Sequence, residues 1–153
     1  RHSEFNNESR PLRFIQTWVV PSARNLSPNY GSCRGSVEPN KLQHLVSNVK
    51  DTSTSTPVEI NQDCDVYATE LQLGAKVSLD IPAGRQAYML CIEGQVRINN
   101  DNELNRHDGC EITGNGLLEI EATDVEETEN GKVAHILLFT MKAVPGDGRK
   151  DIP

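Results

Sequence analysis

The stretch Leu73–Asn99, LGAKVSLDIPAGRQAYMLCIEGQVRIN, carries the clearest structural signal in the chain. Between Lys76 and Ile81, apolar and polar residues alternate one by one, which is typical of a β-strand with one buried face. Pro82-Ala83-Gly84 then predicts a turn. Gly94 separates two further β-like runs and predicts a bend or bulge. This part of the chain is therefore predicted to consist of short strands joined by tight turns.

Similar patterns recur along the rest of the chain. The aromatic and β-branched run LRFIQTWVV, Leu12–Val20, predicts a strand that Pro21 ends. Lys132–Met141 is nearly all apolar, which predicts a central strand. Further strands are predicted over Lys41–Ser47, Val66–Leu73, Gln86–Glu93, Gln95–Asn99, Cys110–Thr113 and Leu117–Ala122. About ten short strands with turn signals every ~8–12 residues, and no convincing amphipathic helix, predict an all-β sandwich or barrel.

The composition excludes several classes of partner. With 22 Asp and Glu against 15 Lys and Arg, the net charge is −7. An acidic chain is a poor direct partner for nucleic acid and for an anionic membrane surface. No apolar run approaches the ~18 residues of a membrane span. The four cysteines form no C-x-x-C pair, which favours a reduced, intracellular protein.

The segment Leu73–Asn99 resembles the first sequence motif of the cupins, in which a glycine precedes an H-x-H pair, a glutamate and a strand that ends at a glycine bend. The resemblance implies a cupin-like double-stranded β-barrel of the jelly-roll type. When the motif is aligned on Ile92-Glu93-Gly94, the expected metal ligands are replaced. The H-x-H pair is replaced by Ile81 and Ala83, and the glutamate by Gln86 or Ala87. The histidine of the second motif is replaced at about Leu117.

The replaced positions lead to a prediction about the barrel interior. By strand parity, Ile81 and Ala83 continue the inward face of Val77 and Leu79. The interior is therefore expected to be a packed apolar core rather than a metal site.

The segment Arg13–Tyr30, RFIQTWVVPSARNLSPNY, resembles the pirin family of two-barrel cupins. That family has a Q-x-W strand followed by P-x(4)-L-x-P-x-Y at the crossing between its barrels. The resemblance implies that residues 1–20 form an arm of strands belonging to the first barrel, and that residues 21–40 form an irregular crossing linker. Residues 41–143 would be the C-terminal barrel and residues 144–153 a flexible tail.

Pirin-like proteins hold one metal, usually iron, through an H-x-H pair and an H-S-E motif of the N-terminal barrel. His2-Ser3-Glu4 matches the H-S-E motif, and side chains at i and i+2 share one strand face. The strand with the H-x-H pair would precede Arg1, so we expect only half of the metal site here, His2 and Glu4. Two ligands seldom hold a divalent metal. Iron or another divalent metal is therefore expected in an intact parent and none in this chain.

Two functional hypotheses follow. In the first, the chain is a metal-free structural and interaction barrel of a pirin-like protein, which covers the metal barrel or binds a protein partner. In the second, it is part of an iron-dependent quercetinase-like dioxygenase that acts on a flavonoid-like molecule. Glu4 would then be a catalytic residue that assists proton transfer in the intact parent. An arm with half a site also favours a homodimer by strand exchange. The family implies a cytoplasmic protein, with a nuclear cofactor role as a further expectation.

Several polar or aromatic side chains have a functional interpretation and a simpler structural one. His135 is predicted to be a core histidine with a hydrogen bond. The acidic run Glu119–Glu129 is either a cation site or, as we favour, a charged hairpin that discourages edge pairing. Arg85 is interpreted as a structural ion-pair partner rather than an anchor between barrels. Trp18 and Tyr30 are expected to pack in the core or between domains.

Overall fold

The computed structural model describes residues 3–33, 35 and 37–143, and the described chain is all-β. In chain order the strands are β1 (Gln43–Asn48), β2 (Val58–Ile60), β3 (Cys64–Leu71), β4 (Lys76–Ile81), β5 (Arg85–Glu93), β6 (Gln95–Ile98), β7 (Asn102–Leu104), β8 (Gly109–Ile112), β9 (Gly116–Asp124), β10 (Glu126–Thr128) and β11 (Gly131–Lys142). None of the described residues belongs to a helix long and apolar enough to cross a membrane.

The strands form two sheets. The seven-stranded sheet has the order β2-β1-β3-β11-β5-β8, and β10 pairs with β11 beside this path. The four-stranded sheet has the order β4-β9-β6-β7. Strand β11 lies between β3 and β5 and pairs antiparallel with both, so the prediction of a central strand over this apolar run is confirmed.

The core lies between the two sheets. In β4, Ile81 is buried and Val77 and Leu79 are half-buried, whereas Lys76, Ser78 and Asp80 are exposed, which confirms the predicted alternation. The largest fully buried apolar side chains are Leu71, Met89, Leu118, Ile120, Ile136, Leu138 and Val96. The cysteines of β3 and β5 are also buried and free. Burial is the main cause that raises the pKa of Cys91 to about 11, so this thiol behaves as a small apolar core residue.

Gly94 forms the tight bend between β5 and β6. Its φ is +76°, a conformation that favours glycine because a Cβ atom clashes there. A Cβ atom at this position would also lie 2.6 Å from the carbonyl oxygen of Asp124 and 3.0 Å from Cα of Ala134. The predicted bend at Gly94 is therefore confirmed, and it places the end of β5 directly against β9 and β11.

The strand predicted over Leu12–Val20 is not formed, and this part of the prediction is wrong. Residues 11–21 have no regular secondary structure, and their side chains are exposed. Trp18 is 81% exposed and Tyr30 is 89% exposed, so neither belongs to the core. The run has high β-propensity, but a strand needs the backbone of a neighbour to pair with. No such ladder forms over this segment in the described part of the chain.

The remaining differences are small. The three-residue strands β2, β7 and β10 were not predicted, since runs this short show little periodicity. The tail predicted over residues 144–153 lies outside the described residues. The division into an arm, a linker and a C-terminal barrel stays a prediction.

Candidate functional site

The cupin ligand positions inside the barrel are occupied by tightly packed apolar groups. Ile81 is 2% exposed and Ala87 is 1% exposed, and both belong to the main core cluster. Leu118 of β9 belongs to the same cluster. The residues present therefore do not fit a metal, because none of these side chains carries an oxygen, nitrogen or sulfur atom that could coordinate one.

Two of the aligned positions, Ala83 and Leu117, do not face the barrel interior. Ala83 is exposed, because β4 ends at Ile81 and the turn that follows breaks the strand alternation. Leu117 is 58% exposed, whereas its neighbour Leu118 faces the core. A shift of one residue along a strand moves a side chain from one face of the sheet to the other. Because two leucines stand side by side here, the sequence does not show which of them faces the core. Of the two positions considered for the glutamate, Ala87 points inward, and Gln86 lines the opposite face of the sheet.

The proposed half-site near the start of the chain is not assembled by the described residues. His2 lies outside them. Glu4 is exposed and lies in a segment without strand structure, so the expected strand face is not formed there. Nowhere within residues 3–33, 35 and 37–143 do three His, Cys, Asp or Glu side chains come together so that they could hold a metal ion.

The acidic run Glu119–Glu129 lies in β9, β10 and the adjoining turns. Several of its carboxylates pair with cations of the same chain. Glu121 contacts Lys76 at 3.3 Å and Arg97 at 3.7 Å, and Glu126 lies 3.5 Å from Arg106. These surface pairs agree with the interpretation as a charged hairpin, and each contributes little stability by itself.

A polar network occupies one mouth of the barrel. Asp65 of β3 accepts hydrogen bonds from Nε2 of His44 at 3.1 Å and from Arg85 at 2.9 Å. Arg85 also binds Asp63 at 2.6 Å. Thr140 of β11 lies 3.3 Å from both Arg85 and Asp65. The network therefore links β1, β3, β5 and β11, and it confirms the structural interpretation of Arg85 as an ion-pair partner.

A cavity of about 270 Å³ opens at this mouth, between the polar network and Tyr67, Leu79 and Pro82. His44 stacks on Tyr67 with ring centroids 4.3 Å apart. Burial, followed by the charge of Asp65, raises the pKa of Tyr67, so the phenol stays protonated. The sequence suggested no partner for His44, because Asp65 is brought to it only by the pairing of β1 with β3. Arg85 pairs with both Asp63 and Asp65, so the network ties β5 to β3 and to the residue that precedes β3.

The outer face of the larger sheet is apolar and lies under the arm. Tyr88, Leu90, Leu137, Phe139 and Met141 form this face, and they point away from the barrel interior. Residues 15–20 of the arm pass over them and leave a groove with a cavity of about 650 Å³. The sequence did not predict this groove, because the arm was expected to be part of another barrel.

The arm is fastened to the barrel at both ends of the groove. At one end, the guanidinium of Arg13 pairs with the carboxylate of Glu93, which also binds Arg106 at 2.7 Å. At the other end, the side-chain amide of Gln62 donates to the carbonyl of Val20 at 2.7 Å. The amide of Ser22 donates to the carbonyl of Asn61 at 2.8 Å. Residues 13–22 therefore cross the sheet between polar contacts at both ends and form no strand ladder.

His135 lies on this outer face beside the arm's contact with Glu93, rather than in the main core. It is half-buried and stands between Glu70 and Glu93 on the neighbouring strands. Burial lowers the pKa of His135, and the two carboxylates oppose that shift. The hydrogen bond predicted for its ring is not seen to any described residue. The imidazole is therefore neutral near pH 7.

The contact between Arg13 and Glu93 predicts that the arm loosens in acid. Burial raises the pKa of Glu93, but the hydrogen bonds from Arg106 and Arg13 outweigh it and hold the pKa below its ordinary value of 4.5. A depressed carboxyl pKa stabilises the folded state above the unfolded pKa, and this contribution is lost as the pH falls through the folded value. We expect the emission of Trp18, the single tryptophan, to change below pH 4.5 while the β-sheet circular dichroism persists.

The Glu93→Gln variant is the control for this titration, because the amide cannot titrate and attracts the guanidinium of Arg13 less strongly. At neutral pH this variant should already have the Trp18 emission of the loosened arm, and it should show no further change in emission on acidification. An unchanged acid transition in Glu93→Gln would contradict the assignment to this carboxylate.

Comparison with known proteins agrees with the cupin-like barrel fold. The family model described as the quercetinase C-terminal cupin domain matches residues 45–141. The chain belongs to this family. Its match begins in β1 and ends in β11, so it covers the barrel and leaves out the arm.

Curated relatives from bacteria match both the barrel and part of the preceding segment. Quercetin 2,3-dioxygenase of Escherichia coli K12 is 26% identical over 145 residues, which are 94% of this chain and 57% of the relative. A pirin-like protein of Caulobacter vibrioides is 28% identical over 130 residues, which are 83% of this chain and 54% of the relative. The chain therefore spans about half the length of the curated relatives it matches.

Solved structures show the same fold. The crystal structure of YhhW from Escherichia coli has a TM-score of 0.67 at 21% identity, over 83% of this chain and 49% of that one. The bacterial pirin YhhW in complex with nickel(II) has a TM-score of 0.64 at 22% identity, over 81% and 48% of the two chains. The predicted cupin-like barrel and the resemblance to pirin-like proteins are thus confirmed.

Proposed function

We propose that this chain is a metal-free C-terminal cupin barrel with a structural and interaction role in a pirin-like protein. The observation that carries the proposal is the interior of the barrel. Ile81, Ala87 and Leu118 are buried at or next to the cupin ligand positions, and close-packed apolar side chains leave no room for a metal and its substrate. The barrel then contributes its surface rather than its interior.

The surface best suited to that role is the outer face of the larger sheet, together with the arm. In the arm, Leu12 and Phe14 are each 61% exposed and Val20 is 79% exposed. Contiguous exposed apolar groups are typical of interaction sites. If the arm belongs to a companion barrel, as the pirin resemblance implies, it would hold that barrel against this sheet.

A second function is favoured by the relatives named as quercetin 2,3-dioxygenases. We propose that the longer protein is a metal-dependent dioxygenase for a flavonoid-like substrate. His2 and Glu4 would supply half of the metal ligands there, and Glu4 would assist proton transfer. Ile81, Ala87 and Leu118 of this barrel would take no part in that chemistry, because their side chains carry no ligand atoms. The role of this chain would be to support the other barrel.

The test is metal retention and flavonol turnover by this chain, measured beside the E. coli relative. Each protein is incubated with Fe(II) or Ni(II), desalted, analysed for metal by mass spectrometry and assayed for loss of quercetin absorbance. We expect this chain to retain only substoichiometric metal and to show no turnover above metal-only buffer, since two ligands bind a divalent ion weakly.

Stoichiometric metal together with quercetin turnover would overturn the metal-free proposal. The variants His2→Ala and Glu4→Gln would then locate the site. Loss of metal in both variants would mean that His2 and Glu4 are required for metal binding, and retention in both would direct the search to the barrel.

A further inference from the structure

We propose that the groove between the arm and the outer face of the larger sheet binds a flat aromatic molecule that carries an anionic group. The groove lies outside the barrel, whereas Ile81, Ala87 and Leu118 are buried in the core between the two sheets. The proposal does not require a metal, but it uses the same outer face and arm as the interaction role proposed above.

The size and walls of the groove suit a small aromatic ligand. Its cavity of about 650 Å³ lies within the roughly 300–1,000 Å³ of small-molecule sites. Tyr88 and Phe139 line the sheet side, and Trp18 lines the arm side. Leu90 and Leu137 complete the floor. Aromatic rings on facing walls favour a flat ligand that stacks between them.

The groove is preformed, because both of its walls are held in place. The floor is formed by β5 and β11, which pair along their length. The arm is fixed by Arg13 at one end and by its hydrogen bond with Gln62 at the other. A ligand that enters therefore meets a site that is already ordered, and preorganised sites lose less conformational entropy on binding.

The charge at one end of the groove selects an anion. Lys142 and Asp63 both line that end. The carboxylate of Asp63 is engaged by Arg85 at 2.6 Å, whereas the ammonium of Lys142 is exposed at the end of β11. The amide of Gln86 lies beside them. Polar groups at one end of an apolar groove orient a ligand, here with its anionic group toward Lys142.

Anilinonaphthalene sulfonate is a suitable probe, because it is flat, aromatic, anionic and fluorescent when it leaves water. Trp18 is the single tryptophan and lines the groove, so its emission should be transferred to the bound probe. We expect saturable binding in which Trp18 quenching and probe emission give the same Kd. N-phenylnaphthylamine is a neutral analogue, and its Kd shows how much of the binding depends on the aromatic rings without the sulfonate.

Two variants with matched controls locate the site. Tyr88 is 43% exposed, so Tyr88→Ser should leave the fold intact and weaken both probes about tenfold, as expected for the loss of an aromatic contact. Lys142→Gln should weaken the sulfonate about threefold and leave the neutral probe unchanged, since an exposed charge pair contributes modestly. Leu117→Ser and Lys132→Gln alter an exposed leucine and an exposed lysine outside the groove, and should change neither Kd.

Three results would overturn the proposal. Non-saturable probe binding would indicate general apolar contact with the surface. Equal effects of Tyr88→Ser and Leu117→Ser would place the probe elsewhere. Concentration-dependent dimerisation that shields Trp18 and excludes the probe, detected by light scattering, would mean that a second copy of the chain occupies the groove.

Discussion

Replacement of Gly94 by alanine is expected to destabilise the barrel by about 3 kcal/mol. A residue other than glycine at positive φ loses about 1 kcal/mol. The rest arises because the new methyl group would lie 2.6 Å from the carbonyl oxygen of Asp124 and 3.0 Å from Ala134, and overpacking against fixed neighbours costs about 1–3 kcal/mol. Urea unfolding followed by far-ultraviolet circular dichroism measures the loss. Trp18 emission is unsuitable, since this residue lies on the arm.

Gly74 provides the matched control. Its φ of +77° nearly equals that of Gly94, but no atom lies within 4 Å of the position of an added Cβ. The Gly74→Ala variant should therefore lose only the conformational part, about 1 kcal/mol. Equal losses at the two positions would mean that the close approach of β9 and β11 to Gly94 has no energetic weight.

Truncation of Leu118 to alanine is expected to cost about 3 kcal/mol, whereas the same change at Leu117 should cost about 0.5 kcal/mol or less. Leu118 is 2% exposed and packs in the core between the sheets, and Leu117 is 58% exposed. The difference between adjacent leucines measures directly which face of β9 is inside. Urea unfolding of both variants gives the two losses of stability from the midpoints, once the slopes of the transitions have been shown to agree.

The opposite order, with Leu117→Ala the more damaging variant, would restore the register expected from the cupin motif and contradict the structure. Similar losses at both sites would mean that both faces of β9 are covered, for instance by self-association of the smaller sheet. Light scattering on the two variants distinguishes that outcome.

Local patterns predicted the strands well where one face meets the core and the other meets water. Lys76–Ile81 shows this, because its alternation is visible in six residues and is matched by burial. The long apolar run of β11 was equally clear, since a central strand is recognised by its composition. The cupin barrel could therefore be predicted from the segment that also carries the family motif.

Features that depend on distant contacts could not be predicted from the sequence. Leu12–Val20 has the composition of a strand, but strand formation depends on a pairing partner, which the sequence does not specify. Asp65 and Arg85 are far apart in the chain and meet at the barrel mouth only because β3 and β5 both flank β11. The groove requires the arm to pass over the sheet, and local periodicity contains no information about that path.

The position of β11 also affects how the protein is made. The last strand along the described chain is the one that joins β3 to β5 in the middle of the larger sheet. During synthesis from the N-terminus, β3 and β5 leave the ribosome before Gly131–Lys142, the strand that pairs with an edge of each. Exposed strand edges favour wrong pairing, and pairing between distant segments slows folding. The nascent barrel is therefore expected to depend on chaperone protection until its last strand emerges.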